Sequence, residues 1–590
     1  MSVLETPRIY FKGEVSWDPI TTNNYDTNYD ESKGDTIYPQ AVNKVKAFRA
    51  QSIAQVVPGS WNPHGTHRVT FYNTTVCGFD VGAGLATTDP FVDAAVNFMG
   101  MLVDLEPFGS FSSQLFFNSI HFGVDGGYRI LAPRTSRATA RYINFSRNMA
   151  NAMIAGIASV AWQTSFPKTA GLRIDPFDSP ALQSLAKSME PDDVLGLTIR
   201  FNAYRTIYYD NPNLTNKSPD TKVAAQALTA KLNGGGFQPN PARSLLVGVI
   251  GLWRKGEPAH EPGDRTLTPA DNSPLGSVHA RLSDTALTLD LSNSVPEIDK
   301  NLTKQNLGAL TVVASDPTSG AITNLGSFDY SQYDRAAYEA SAGIITVPLP
   351  AGAAKTAAKL DLQIQDSTGT PLLTELALRA IPATPNLYLD EGESTIATFQ
   401  VYDRGRPATS VVPVSLYKMD ASGSTPDNPT QVTTDKNGVL SIPLTAVSDG
   451  IAAFVPSLSD ADQPTNGINT QVNTYMYVRM RPADTAIAAL DPTFHNVYAY
   501  VLANWNAMAP CMDNWLNLAD PVQVKAYAQI LKRLTDPANF EDFRFMPITR
   551  DMSAGERTLL YKFLDDVHAE KRAAPHAPNF ADLSRAMRRG

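Results

Sequence analysis

The feature that most constrains this chain is a change of hydrophobic period along its length. Up to about residue 482, apolar residues recur at every second position in short runs cut by Gly, Pro, Asn and Asp. From 483 onward they recur at every third and fourth. Leu287, Leu289 and Leu291 alternate with Thr288 and Asp290, and Leu360, Leu362 and Ile364 alternate with Asp361 and Gln363. Such runs bury one face only as strands. The later run Leu559, Leu560, Phe563, Leu564, Val567 buries one face only as a helix. The pattern predicts a multidomain, mainly β protein, with β-sandwich domains including an immunoglobulin-like one, followed by a C-terminal α-helical domain.

Four blocks follow from where the pattern shifts. Residues 1–255 read as a β-rich N-terminal domain with helical insertions. Ala138 to Ala161 carries Ile143, Met149, Met153, Ile154 and Ile157 at loosely helical spacing. Polar stretches at 21–35 and 211–243 read as surface excursions. Residues 256–383 read as a second β domain. Residues 384–482 hold seven candidate strands separated by turns such as Asp403-Arg404-Gly405 and Lys436-Asn437-Gly438, the grammar of an immunoglobulin-like β-sandwich held by packing without a Cys pair. Residues 483–590 read as helices. Asp491-Pro492 and Asp520-Pro521 supply caps with a first-turn proline, and Ser553-Ala554-Gly555-Glu556 is a capping box.

Composition narrows the function classes. With 49 basic and 58 acidic residues the net charge is −9, and no basic stripe exists, so a nucleic-acid partner is not expected. No run of about 20 apolar residues occurs, so no membrane-spanning helix is expected. The start has neither a basic nor an apolar leader region, which makes cytoplasmic the expected location. Two cysteines, Cys77 and Cys511, exclude a disulfide scaffold or a four-cysteine zinc site.

Candidate chemistry is sparse. His64 and His67 form a close pair in a Gly/Pro-rich turn. Glu257 and His260 have the i, i+3 spacing of di-iron bundles, but Pro258 between them opposes a helix. Asp565 and His568 could supply half of such a site. Tyr204, Tyr208, Tyr209, Trp505 and Trp515 could stack a planar ligand or fill a core. No nucleophile elbow, phosphate loop or zincin motif occurs. From the residues alone, catalytic residues stay unassigned and no metal site is expected.

Five stretches, in order, resemble a known family: Pro7-Arg8-Ile9-Tyr10-Phe11-Lys12-Gly13; Asp192-Asp193-Val194-Leu195-Gly196-Leu197-Thr198; Val247-Gly248-Val249-Ile250-Gly251-Leu252-Trp253-Arg254-Lys255-Gly256-Glu257; Asn386-Leu387-Tyr388-Leu389; and Met546-Pro547-Ile548-Thr549-Arg550-Asp551-Met552-Ser553. Together they resemble the N-terminal, non-ferritin region of the iminophenylpyruvate dimer synthase and chromopyrrolate synthase family of violacein and indolocarbazole pathways. The opening motif departs at Tyr10, where the family pattern leads one to expect histidine. The family couples two indole-3-pyruvate imines oxidatively, contains haem, and carries a ferritin-like domain beyond the region matched, so the resemblance implies a chain lacking that domain. Three functions follow as expectations. The first is a stand-alone accessory or scaffold protein acting by protein–protein interaction, with a ferritin-like subunit or a homo-oligomer as partner. The second is an oxidoreductase of bisindole biosynthesis, with haem in an apolar first block and His67 or His121 as axial ligand. The third is an exported carbohydrate- or surface-binding protein.

Overall fold

The computed structural model describes residues 2–17, 67–105, 112–144, 159–206, 242–296, 304–331, 334–419, 423, 426–508 and 516–566. The stretch at 21–35, most of 211–243, and His64, Tyr208, Tyr209, Cys511, Trp515 and His568 lie outside them.

The first block is a closed antiparallel barrel. Its strands are β1 (Arg8–Trp17), β2 (Arg68–Asp80), β3 (Val96–Asp104), β4 (Ser113–Gly123), β5 (Arg129–Pro133), β6 (Ala138–Asn144), β7 (Ser159–Pro167), β8 (Arg173–Asp175), β9 (Val194–Thr206) and β10 (Ala242–Arg254). Hydrogen bonding runs β3-β2-β1-β10-β9-β7-β6-β4, and β4 pairs back onto β3. β5 and β8 extend from the second half of β4. Closure satisfies the backbone donors and acceptors that an open sheet would leave at its edges. A barrel of eight strands is narrow enough for side chains to fill. Here phenylalanines do so: Phe71 stacks on Phe98 at 4.7 Å, Phe11 meets Phe122 edge-on at 5.3 Å, and Phe71 meets Phe201 edge-on at 5.3 Å.

Three of the resemblance stretches are neighbours in this wall. Ile9 pairs with Ile250 and Phe11 with Gly248, while Leu252 pairs with Leu197. A Cβ at Gly248 would sit 2.1 Å from the Phe11 ring, so glycine there makes room for the ring. The helical reading of Ala138–Ala161 is corrected where the structure describes it, because Ala138–Asn144 and Ser159–Pro167 are strands. Every residue of β6 is buried, although Thr139 and Arg141 alternate with Ala138, Ala140 and Tyr142: its polar side chains meet Asn386 and Glu261 of neighbouring elements instead of water.

Residues 265–376 form an eight-stranded antiparallel sheet curled around Leu287, Leu289, Val312, Leu362 and Ile364. Residues 378–481 form two facing sheets. One is built on Ser394–Asp403 and the other on Met476–Arg481, with Phe399, Val401, Val414, Leu440 and Val478 between them. All seven strand readings there are strands, and Asn386–Asp390 pairs parallel with Met476–Arg481.

The chain then turns helical. Phe494, Val497, Tyr498, Val501, Leu502, Leu559, Leu560 and Phe563 make one core. Asp520 caps Pro521–Ala526, and the Ser553/Glu556 capping box opens Ala554–Asp565. The first cap is Thr493, two residues beyond the expected Asp491, whose carbonyl instead accepts from the Thr493 amide. The run after Asp520 breaks at Tyr527. Tyr527 and Ile530 face solvent and only Val524, Leu531 and Thr535 are buried. Among the described residues, no helix is long and apolar enough to cross a membrane.

Candidate functional site

The segment that leaves β10 organises the most polar part of the interior. The β10 end turns sharply: Glu257 donates its amide to the Arg254 carbonyl at 3.1 Å, and the Arg254 amide donates to the Glu257 carboxylate at 2.8 Å. Gly256 sits at φ 86, a conformation natural to glycine. The chain then passes through Pro258 and Pro262 and carries Glu261 and Asp264 between the barrel, the eight-stranded sheet and the sandwich.

There the two acids meet three arginines. Glu261 accepts from Arg141 Nε at 3.1 Å, Arg379 Nη2 at 2.8 Å and the Tyr142 hydroxyl at 3.0 Å. Arg200 bonds Asp290 at 2.5 Å and approaches Asp264 at 3.5 Å. Arg379 also donates to Thr266 Oγ1 at 2.6 Å. All six ionised side chains are buried, and three positive charges face three negative ones. Each charge would be costly alone and is tolerable only because it is paired. His279 donates to or accepts from Thr266 Oγ1 at 3.1 Å and packs edge-on to Tyr142 at 4.5 Å. Burial, and then the Arg200 and Arg379 charges, push its pKa well below the ordinary histidine value, so it stays neutral.

A second junction joins barrel, sandwich and helices. The Arg550 guanidinium lies 3.6 Å over the Phe116 ring and donates to the carbonyls of Ile548 at 2.8 Å and Asp542 at 2.9 Å. It is wholly buried, and burial pulls its pKa down to about 9. Arg137 stacks against Phe116, Tyr388 and Phe540, donates to Gln114 at 2.6 Å and pairs with Glu541. The last two resemblance stretches, around Tyr388 and Arg550, therefore meet here.

The structure does not bring the two haem-ligand candidates together. The His67 carbonyl bonds the Leu102 amide, whereas His121 pairs with Asn97. Five positions along β3 separate those partners, roughly 17 Å at 3.4 Å per residue. His67 is fully buried and donates Nδ1–H to the Leu102 carbonyl at 3.1 Å. Its pKa is down to about 4, mainly through burial. His121 is half-buried, with Nε2 4.0 Å from Asp125. The apolar first block that would have housed a haem is filled by the phenylalanine rings between its walls. These residues do not fit the group, and no chemistry is routed through it.

Other candidates resolve into packing. Burial pushes the Cys77 thiol up to about 12, so it is not a thiolate. Tyr204 packs edge-on to Tyr338 at 5.8 Å. Tyr10 is buried in the same cluster, in a packing position. Among the described residues, no group of three or more His, Cys, Asp or Glu side chains is placed to hold a metal ion. Sequence reasoning missed the six-membered charge network. Its one signal was a charge in a run otherwise apolar, as at Arg200 between Ile199 and Phe201.

No family model matches the chain. Over 425 residues it is 26% identical to the 2-imino-3-(indol-3-yl)propanoate dimerase of Chromobacterium violaceum, a match covering 68% of this chain and 37% of that protein. The chain thus spans well under half the length of this relative, and the similarity supports a relation to the iminophenylpyruvate dimer synthases. The D0-D1 domain of intimin aligns with 35% of this chain and 98% of its own, at 14% identity and a TM-score of 0.14. The FN1-FN3 domains of chicken CNTN1 align with 36% of this chain and 68% of their own, at 10% identity and a TM-score of 0.14. Scores that low carry no argument.

Proposed function

We propose that this chain is an accessory framework protein of a bisindole-forming system, acting by protein–protein interaction with a ferritin-like subunit or with a second copy of itself. One observation carries this reading: each stretch that resembles the dimer synthases serves packing over most of its length, and only the Arg254–Glu257 turn reaches an open cleft. Ile9–Gly13, Leu195–Thr198 and Val247–Arg254 are adjoining barrel strands, and Asn386–Leu389 and Met546–Ser553 form the barrel–sandwich–helix junction. Arginines that might have met a substrate are instead locked between sheets. Native mass spectrometry of the purified chain, alone and mixed with a ferritin-like protein of the same pathway, is the test. The expected result is a stable assembly larger than one chain. A persistent monomer in both samples would refute the reading.

A second reading, an oxidoreductase of tryptophan-derived bisindole synthesis, is favoured by the similarity to the dimerase itself. Turnover of 2-imino-3-(indol-3-yl)propanoate by the purified chain without any partner would establish it at the expense of the first.

A further inference from the structure

A cleft of about 240 Å³ opens where the end of β10, the eight-stranded sheet and the sandwich meet. Ligand sites favour such junctions, and this one is slightly smaller than the roughly 300–1,000 Å³ pockets of drug-sized ligands. Six cations line it (Arg254, Lys255, Arg265, Arg281, Arg404 and Arg406), against one carboxylate, Glu257. Acids set beside them orient four of the six. Glu5 bridges Arg254 and Arg281, Asp193 bonds Arg254 at 2.7 Å, Asp361 and Asp403 bond Arg404 at 2.5 and 2.9 Å, and Glu375 holds Arg265. Lys255 and Arg406 are exposed. Neither has an acidic side chain within ion-pair range among the described residues.

The backbone at this cleft is also unusual. Arg404 and Gly405, the two central residues of the hairpin closed by the Asp403–Arg406 pair, have φ of 46 and 77. Turns with two positive φ angles favour Asn-Gly or Gly-Gly. An arginine there costs roughly 1–2 kcal/mol of steric strain. Strain held at a cleft wall points to a use for the side chain it presents, and here that side chain is a guanidinium beside two unpaired cations.

We propose that this cleft binds a small oxyanion carrying two or more negative charges, a phosphate or a dicarboxylate, between Arg404 and the Lys255/Arg406 pair. Guanidinium forks suit both carboxylate and phosphate oxygens. Arg406 offers its fork, while Arg404, whose two Nη atoms donate to Asp403 and Asp361, offers its Nε, unpartnered among the described residues. The assignment does not rest on the framework reading.

The test is isothermal titration of the full chain at constant ionic strength with inorganic phosphate in one arm and malonate in the other. Saturable binding in either arm is expected, and the tighter arm identifies the anion class. Lys255→Gln and Arg406→Gln should each weaken it by about tenfold, one charge-assisted hydrogen bond apiece. Arg404→Gly should weaken it similarly. Both exposed cations can be replaced singly, so one well-folded variant suffices. No saturable heat in either arm up to about 10 mM, the range of very weak binding, would overturn the proposal. So would affinities unchanged in the Lys255 and Arg406 variants.

Discussion

Replacing Glu261 by Gln tests whether the charge network is a dry, fully committed joint. The amide keeps the shape of the side chain and can still accept hydrogen bonds. It removes the negative charge that faces Arg141 at 3.1 Å and Arg379 at 2.8 Å. Both guanidiniums are about 5% exposed or less, so water cannot replace the lost charge. Two routes give the magnitude. Hydrogen bonds to charged groups contribute about 1.5–3 kcal/mol each. With its oxygen in the place of Oε1, the glutamine keeps the Tyr142 contact, weakens the Arg379 bond and loses the Arg141 bond, because its amide nitrogen cannot accept. Removing one partner of a buried ion pair costs about 3–5 kcal/mol. Glu261→Gln should therefore destabilise by about 3–5 kcal/mol, read from urea unfolding followed by the fluorescence of the buried Trp162. The double variant Glu261→Gln/Arg379→Met should recover part of that loss, because it removes one stranded charge along with its partner. A loss below about 1 kcal/mol, the range of solvent-screened pairs, would show that the junction is wet and the reasoning wrong.

Three further outcomes are expected. Gly248→Ala sets a methyl 2.1 Å from the Phe11 ring, which is wedged against Phe122, so overpacking should cost about 1–3 kcal/mol by urea unfolding; an unchanged midpoint would contradict it. Ser553→Ala removes the side chain that accepts from the Glu556 amide at 3.1 Å, and should cost about 1 kcal/mol, with faster amide exchange in the first turn of Ala554–Asp565. His67 has a folded pKa of about 4 against about 6.5 when unfolded, so between those values only the unfolded chain takes up its proton. Its contribution is complete above pH ~6.5 and falls by up to about 1.4 kcal/mol per pH unit toward pH 4, and His67→Gln should flatten that part of the stability profile.

The fold class was legible because period-two runs such as Leu287–Leu291 and helix caps such as Ser553 are local signals, set by the same side chains that form the element. The signal failed where local pattern and environment diverge. At Ala138–Asn144 the alternation of Ala138, Ala140 and Tyr142 with Thr139 and Arg141 was present, but the Ala-, Met- and Ile-rich residues after it suggested a helical spacing for the whole stretch. At Tyr527 and Ile530 the helical spacing was right, but a break at Tyr527 turned those side chains outward. Almost nothing of the polar junction was legible. Arg379 and Tyr142 are 237 positions apart, and neither side chain's neighbours in sequence announce the contact. The cleft was hidden for a related reason: Arg254-Lys255-Gly256-Glu257 and Asp403-Arg404-Gly405-Arg406 read as ordinary mixed-charge turns until the fold sets them face to face.

The barrel closes unevenly, and this bears on how it would come apart. β9 and β10 share pairs from Ser244 to Arg254, whereas β4 and β6 share only Gln114 with Thr139 and Leu115 with Ala138. That short seam is clasped from outside: the Gln114 side chain donates to the Tyr388 hydroxyl of the sandwich at 2.8 Å and accepts from Arg137, which also reaches the Asn386 carbonyl. The zipper line of the barrel is thus fastened by a neighbour rather than by its own ladder. Undocking the sandwich would unfasten Gln114 first and let the cylinder gape into a curved sheet along that one edge, ahead of any loss of its aromatic filling.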